Sequence, residues 1–150
     1  MKLATALSER ADLQKRISDL GVRLNNNAKV QEGEKPAEEP EVLLKELNDC
    51  LLRLEELMAR INKTNNMTRA GDQTITDLIA KRDCLKTRVK IMRDFLNASS
   101  DMVNRYSKTE IKICSTVSVA ELQKKVDAWS KQLRETDEKI QELNWLTELI

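Results

Sequence analysis

The chain has 150 residues, of which 34% are charged and 3% aromatic, and its formal net charge is +1. This charge balance produces no long-range field that would attract nucleic acid or an anionic membrane, and too few aromatic side chains are present to stack single-stranded bases. Histidine is absent, which removes the usual catalytic triads and the carboxylate–histidine metal sites of helical bundles. We expect a single helical domain over residues 1–150.

The first two helices are predicted over roughly residues 2–27 and 41–65. Apolar side chains recur there at alternating steps of three and four residues, which is typical of helices that pack against other helices. Pro40 suits the first turn of the second helix, where its missing N–H costs nothing. The predicted apolar seams are Leu3, Ala6, Leu13, Ile17, Leu20 and Leu24 in the first helix and Leu44, Leu47, Leu51, Leu54, Met58 and Ile61 in the second.

The third and fourth helices are predicted over roughly residues 75–106 and 118–150. The third carries the same repeat from Ile75 to Tyr106. The fourth begins at a capping box, in which Ser118 is followed by Glu121 three residues later. Both are therefore amphipathic helices of the same type as the first two.

Short connections between four such helices predict an all-α fold, an antiparallel up-down-up-down bundle or a pair of long helical hairpins. The first and third connectors then lie at one end. KVQ at residues 29–31 belongs to the first, and EIKICSTVSV at residues 110–119 alternates apolar and polar side chains in the third. We expect a small two-stranded pairing between them. The alternative is two independent loops.

Polar residues interrupt the apolar pattern near the second turn, in the stretch INKTNNMTRAGDQTIT at residues 61–76. Its asparagines continue the helical seam and its arginine lies in the turn. A rise of about 1.5 Å per residue brings further arginines and an asparagine from the other helices to a similar level. The predicted ligand-binding residues are Arg10, Asn62, Asn65, Arg69, Arg82 and Asn144.

Two of these residues, Arg10 and Arg82, occupy seam positions where leucine or isoleucine would be usual. A buried charge without a partner is costly, so each guanidinium must be paired, hydrated or directed at a ligand. Three interpretations stay open: ion pairs that fix helix register, an anion pocket for phosphate or carboxylate, and side chains that reach out to solvent.

The end of the chain, ELNWLTELI, is apolar on more than one side of the predicted helix. Trp145, Leu146 and Leu149 fall outside its seam and would be exposed in a monomeric bundle. They predict self-association into a homo-oligomer through this surface.

Cys50, Cys84 and Cys114 are widely spaced and form no C-x-x-C motif, which favours free thiols in a reducing cytoplasm. The first residues lack the apolar run of a signal peptide, and no stretch approaches the length of about 18 apolar residues that a membrane span needs. We therefore expect a cytoplasmic protein without membrane contact, bound metal or cofactor.

Six separated blocks resemble a family of small bacterial and phage proteins labelled septicolysin-like: ERADLQKRI, AKVQEGEKP, RINKTN, RYSKTEIK, STVSVAELQK and QELNW. The resemblance spans nearly the whole chain. It implies an all-helical fold without an assigned mechanism, and the label implies a cytolysin as one activity to test.

The leading functional interpretation is a non-catalytic homo-oligomer that binds or sequesters a small, phosphate-bearing, nucleotide-like anion through the polar layer. The alternative is a purely structural or protein–protein interaction bundle without a small-molecule ligand. An enzyme or a cytolysin ranks below both, and no catalytic residue is predicted, because the sequence offers no acid–base constellation.

Overall fold

The computed structural model describes residues 1–101 and 111–150. In these ranges it contains one antiparallel strand pair, β1 (Arg69–Ala70) with β2 (Gln73–Thr74), and four helices: α1 (Leu3–Asn26), α2 (Pro40–Met67), α3 (Ile75–Ser100) and α4 (Val119–Leu146). The predicted all-α fold with a small two-stranded pairing is confirmed. The end of the predicted third helix, from 102 to 106, lies outside the described residues.

The chain divides into two compact units. The first unit contains Met1–Thr74 and Leu143–Ile150, and the second contains Ile75–Glu142. The first unit is therefore built on the α1–α2 hairpin and the second on the α3–α4 hairpin. A single domain over residues 1–150 stays a prediction.

In the first unit, α1 and α2 run antiparallel, with the Arg53 side chain 2.7 Å from Glu9 and the Arg16 side chain 2.7 Å from Glu46. Between the helices, Leu20, Leu43 and Cys50 form a buried cluster, against which the half-buried Leu13, Ile17, Leu24 and Leu47 pack. Apolar burial along this seam is the main stabilising contribution to the hairpin.

The buried seam of α2 differs from the predicted seam, because it includes residues that the sequence pattern had placed next to the seam. The side chains buried in α2 are Leu43, Cys50, Leu57, Ile61 and Thr64. Leu44, Leu51 and Met58, which were predicted to be in the seam, are 52%, 45% and 44% exposed. Each follows a buried residue directly, and one residue turns the side chain by about 100° around the helix. The prediction for these three positions is wrong.

The two strands form a hairpin around Gly71 and Asp72, with Arg69 opposite Thr74 and Ala70 opposite Gln73. Gly71 has a φ of 65°, while Asp72 does not have a positive φ. A positive φ at only the first loop residue is the type II′ arrangement, which favours glycine at that position. The pairing thus lies in the second connector, since residues 29–31 and 111–118 contain no strand.

The last four residues of the chain are extended, whereas the sequence pattern predicted a helix to residue 150. The N–H of Leu3 donates to the Thr147 carbonyl at 2.9 Å, and the N–H of Leu149 donates to the Met1 carbonyl at 2.8 Å. Lys2 and Glu148 form an antiparallel bridge between these two bonds. The helix ends at Leu146 because the following backbone bonds the start of the chain instead.

In the second unit, Leu96, Leu122 and Val126 form a buried cluster between α3 and α4, with Met92, Val119 and Trp129 packed against it. Ser118 caps the start of α4, since the Glu121 N–H donates to the Ser118 Oγ at 3.4 Å, which is one of the two hydrogen bonds of the predicted capping box. Across the described part of the chain, no helix is long and apolar enough to cross a membrane.

Candidate functional site

The residues predicted to bind a ligand are divided between the two units. Five of the six belong to the first unit, and Arg82 belongs to the second. The six-residue layer as a whole therefore stays a prediction, and the structure gives the surroundings of each member within its own unit.

Arg10 interrupts the α1 seam between Ala6 and Leu13. Its side chain is half-buried, and its Nε is a buried donor that has no hydrogen-bond partner among the residues the structure describes. The neighbouring Glu9 is engaged by Arg53 across the hairpin. Within residues 1–101 and 111–150, Arg10 forms no ion pair, so internal pairing does not explain its position.

The other predicted residues of the first unit differ in exposure. Asn62 and Arg69 are exposed, Asn65 is half-buried, and Asn144 is buried near the end of α4. Thr64, which was not among the predicted site residues, is a buried polar side chain of the same stretch. Its hydroxyl donates to the Arg60 carbonyl at 2.8 Å and accepts the Ile150 N–H at 3.0 Å, so it has a structural role.

Arg82 lines a groove of about 310 Å³ that runs between α3 and α4 within the second unit. Three lining residues come from α3 and four from α4. The lining residues are Arg82, Lys86, Arg93, Ser130, Leu133, Arg134 and Asp137. Four of them are cationic and one is a carboxylate, which makes this groove the candidate functional site.

The cations of the groove are only partly neutralised. The Arg82 guanidinium lies 2.9 Å from Asp83 and 3.7 Å from Asp137. Arg134 lies 4.0 Å from Glu138, at the limit of an ion pair. Among the residues that the structure describes, Lys86 forms no ion pair, so the positive charge of the groove exceeds the negative charge around it.

Arg93 connects the two walls of the groove. Its Nη2 donates to the Ser130 Oγ at 3.2 Å, and it has no carboxylate partner in the described part of the chain. The Ser130 hydroxyl in turn donates to the Val126 carbonyl at 2.8 Å. This chain of bonds orients the hydroxyl and leaves the other guanidinium donors of Arg93 available to an anion.

Of the residues that line this groove, the sequence prediction named only Arg82. The sequence does contain a signal for the other cations of α3. Residues 81–93 contain six basic residues and one acidic residue. Lys86 and Arg93 follow Arg82 at helical spacings of four and then seven residues, which keeps all three on one face of α3. Charge counting over the whole chain hides this local excess, because acidic residues elsewhere balance it.

Comparison with known proteins gives a family without an assigned function. The profile described as a family of unknown function, DUF6847, matches residues 10–149. A crystal structure of a functionally unknown conserved protein from Corynebacterium diphtheriae is similar over 100% of this chain and 99% of that chain, with 40% identity and a TM-score of 0.91. No curated protein matches. The helical family of unassigned function is thus confirmed, whereas the septicolysin-like label finds no support.

Proposed function

We propose that this chain, which belongs to the DUF6847 family of unknown function, binds a small phosphate-bearing anion in the α3–α4 groove without catalysing a reaction. The supporting observation is the set of four cations around one cavity whose described lining residues include a single carboxylate. The four are Arg82, Lys86, Arg93 and Arg134. The family and the similar crystal structure carry no assigned ligand, so the proposal rests on this geometry.

The residue types in the groove suit phosphate better than a carboxylic acid. Guanidinium groups offer paired N–H donors that match phosphate oxygens, and Lys86 adds a compact charge without directional limits. The volume of about 310 Å³ is near the lower end for small-molecule sites and fits a diphosphate or the phosphate end of a nucleotide. Because the groove is open to water, binding should weaken as salt increases.

The groove uses Arg82 from the predicted polar layer and does not require Arg10, Asn62, Asn65, Arg69 or Asn144. Among the described residues of its lining there is no serine–base pair, and the carboxylate of Asp137 lies 3.7 Å from Arg82. We therefore propose binding or sequestration rather than turnover. The alternative function, a structural or protein–protein interaction bundle without a ligand, predicts no specific response to phosphate compounds.

The experiment is a thermal-melting and calorimetric titration with pyrophosphate and ATP at low and physiological salt. At about 100-fold excess over the dissociation constant, binding to the folded state alone should add about 2.7 kcal/mol to the free energy of unfolding. Replacing Lys86 and Arg93 together by glutamine should weaken binding at least about tenfold, since two charge-assisted contacts are lost.

The matched control replaces Lys124 and Lys125 by glutamine. It removes the same total charge as the test variant, from two exposed positions of α4 outside the groove lining. Equal weakening in both double variants would indicate non-specific attraction and would overturn the site. An unmoved melting curve for the wild-type chain across phosphate, pyrophosphate and nucleotides would overturn anion binding itself.

A further inference from the structure

The two lateral sides of the α1–α2 hairpin in the first unit differ in charge. In an antiparallel coiled coil, each helix has one position on either side of its apolar seam. On each side of the hairpin, the flanking position of one helix meets the equivalent position of the other helix. On one side, three ion pairs follow the hairpin: Glu9 with Arg53, Arg16 with Glu46 and Arg23 with Glu38. These interactions occupy that side from one end to the other.

The opposite side carries no charged residue at its flanking positions. We call it the neutral face. Helix α2 contributes a ridge of large apolar side chains, which are about half exposed, and α1 contributes mostly small side chains. The neutral face consists of Leu44, Leu51 and Met58 from α2 and of Ala4, Leu7, Ala11, Gln14, Ser18 and Gly21 from α1.

The large and small residues of the neutral face lie at matching heights. The register that pairs Glu9 with Arg53 and Arg16 with Glu46 is constant along the hairpin. It therefore sets three small residues of α1 level with the three large residues of α2. The level pairs are Ala4 with Met58, Ala11 with Leu51 and Ser18 with Leu44.

We propose that the neutral face binds the neutral face of a second copy of this chain, about a two-fold axis parallel to the helices. Such a rotation exchanges the positions of α1 and α2 without changing their height. The α2 ridge of one copy then lies over the small residues of α1 in the other, with Leu51 facing the second copy's Ala11. Every neighbouring helix in the resulting four-helix arrangement is antiparallel, as in up-and-down bundles.

The area and the charge of the neutral face both suit a second copy of this chain as its partner. From Ala4 to Gly21 the face is about 26 Å long, and two helices are about 20 Å wide, so pairing would cover about 500 Å² on each copy. A total of about 1,000 Å² is near the lower limit of a specific interface and suits a dimer of micromolar affinity. No charge is placed within the contact itself.

The rim of the neutral face makes the proposed dimer sensitive to salt. Lys15 borders it on α1, at helical spacing from Ala11 and Ser18, and Glu55 borders it on α2. The rotation brings the basic edge of one copy beside the acidic edge of the other. Salt screens their attraction, so dimerisation should become weaker as salt increases.

The experiment is sedimentation of the full chain from about 1 to 100 μM, a range that spans the expected micromolar affinity. We expect the wild-type chain to associate. In a Trp145→Glu background, which removes the separate contact predicted at the end of α4, we expect a dimer that Leu51→Glu converts to monomer. Leu52→Glu is the matched control, because this neighbouring side chain is 58% exposed on another face of α2. A monomeric wild-type chain at the highest concentration, or the same effect of both variants, would overturn the proposal.

Cysteine cross-linking gives a second measurement that does not depend on a disruptive charge. In a chain with Cys84→Ser and Cys114→Ser, the single variants Ala11→Cys and Leu51→Cys are mixed and oxidised. The two-fold arrangement predicts a disulfide between the two variants and much less between two copies of Ala11→Cys. A Trp145→Glu change should leave this cross-link intact. Failure of the mixed cross-link in a mixture that sediments as a dimer would overturn this geometry.

Discussion

The hydroxyl of Thr64 receives the N–H of Ile150 at 3.0 Å, and so joins the end of the chain to α2. Thr64 is fully buried and also donates to the Arg60 carbonyl at 2.8 Å. Arg60 completes the contact, since its Nε donates to the Ile150 carbonyl at 2.9 Å. The polar stretch that starts in the last turns of α2 therefore contains a residue that closes the first unit.

Thr64→Val should destabilise the first unit by about 1–2 kcal/mol, because it keeps the side-chain shape but leaves the Ile150 N–H without an acceptor. Urea unfolding measures the change. Thr136→Val is the matched control. Thr136 is also buried, but among the residues that the structure describes its hydroxyl bonds only the Gln132 carbonyl four residues earlier. That change should cost less than about 0.5 kcal/mol. Equal losses in the two variants would contradict the assigned role of Thr64.

Glu148 holds the chain ends together in a way that depends on pH. Its carboxylate lies 2.7 Å from the Lys2 Nζ and 3.0 Å from the Met1 amine. The hydrogen bond from Lys2, followed by that from the Met1 amine, lowers the pKa of Glu148 below its ordinary value of 4.5. A lowered carboxyl pKa means that the stabilisation is complete above the unfolded pKa and is lost as pH falls through the folded pKa.

Glu148→Gln should therefore melt at a lower temperature than the wild-type chain at about pH 7, and the difference should shrink as the pH falls below the ordinary glutamate pKa of 4.5. Melting curves across this range test the prediction. Glu142→Gln is the control, since in the described part of the chain Glu142 pairs only with Lys139, one helical turn away on the exposed surface. If the Glu148→Gln difference persisted at low pH, the carboxylate would not be its source.

Trp145 and Leu146 are each 65% exposed. The predicted subunit contact at the end of α4 therefore stays a proposal for these two residues. Leu149 does not belong to it, because that side chain is buried within the first unit and its N–H bonds the Met1 carbonyl. The extended path of residues 147–150 explains this correction. A helix continued to residue 150 would have placed Leu149 differently.

With Trp129→Phe, Trp145 is the remaining tryptophan, so its emission reports on this surface alone. In a Leu51→Glu background, which removes the proposed neutral-face contact, we expect the emission to shift to shorter wavelengths as concentration rises. Trp145→Glu should give a smaller species in sedimentation, whereas Gln141→Glu should not. Constant emission together with a constant monomer mass would refute the contact at Trp145.

The sequence could predict the four helices and most of their bounds because the apolar repeat and the caps are local signals. It could not choose between Leu43 and Leu44 as seam positions, since α2 is apolar at both and only packing against α1 distinguishes them. The end of α4 was missed for a similar reason. Helical propensity favours continuation there, while bonds from Leu3 and Thr64, far away in the chain, favour extension.

The anion groove was predictable only in part. Arg82 stood out because it interrupts a seam, whereas Lys86, Arg93 and Arg134 look like ordinary surface cations in the sequence. These three side chains line one groove only because α3 packs against α4, where Leu133 and Ser130 form part of the groove wall. The same lack of pairing information made Arg10 and Arg82 look equivalent, although the structure gives them different surroundings.

Replacing Arg10 and Arg82 separately by leucine distinguishes these surroundings. Arg10→Leu removes a buried donor without a partner and fills the seam between Ala6 and Leu13, so it should stabilise the first unit by about 1–2 kcal/mol. Arg82→Leu breaks partly exposed contacts to Asp83 and Asp137, which are typically worth about 0–1 kcal/mol, and should bring no comparable gain. Urea unfolding measures both changes.

The same two variants separate the groove from the predicted polar layer when they are melted with pyrophosphate. If the anion binds in the α3–α4 groove, Arg10→Leu should keep the full ligand-induced rise in melting temperature, because Arg10 lies outside the lining. Arg82→Leu should reduce that rise, since it removes a guanidinium from the wall of the groove. A rise that disappears in Arg10→Leu and persists in Arg82→Leu would instead place the anion beside Arg10, where the buried Nε would be its donor.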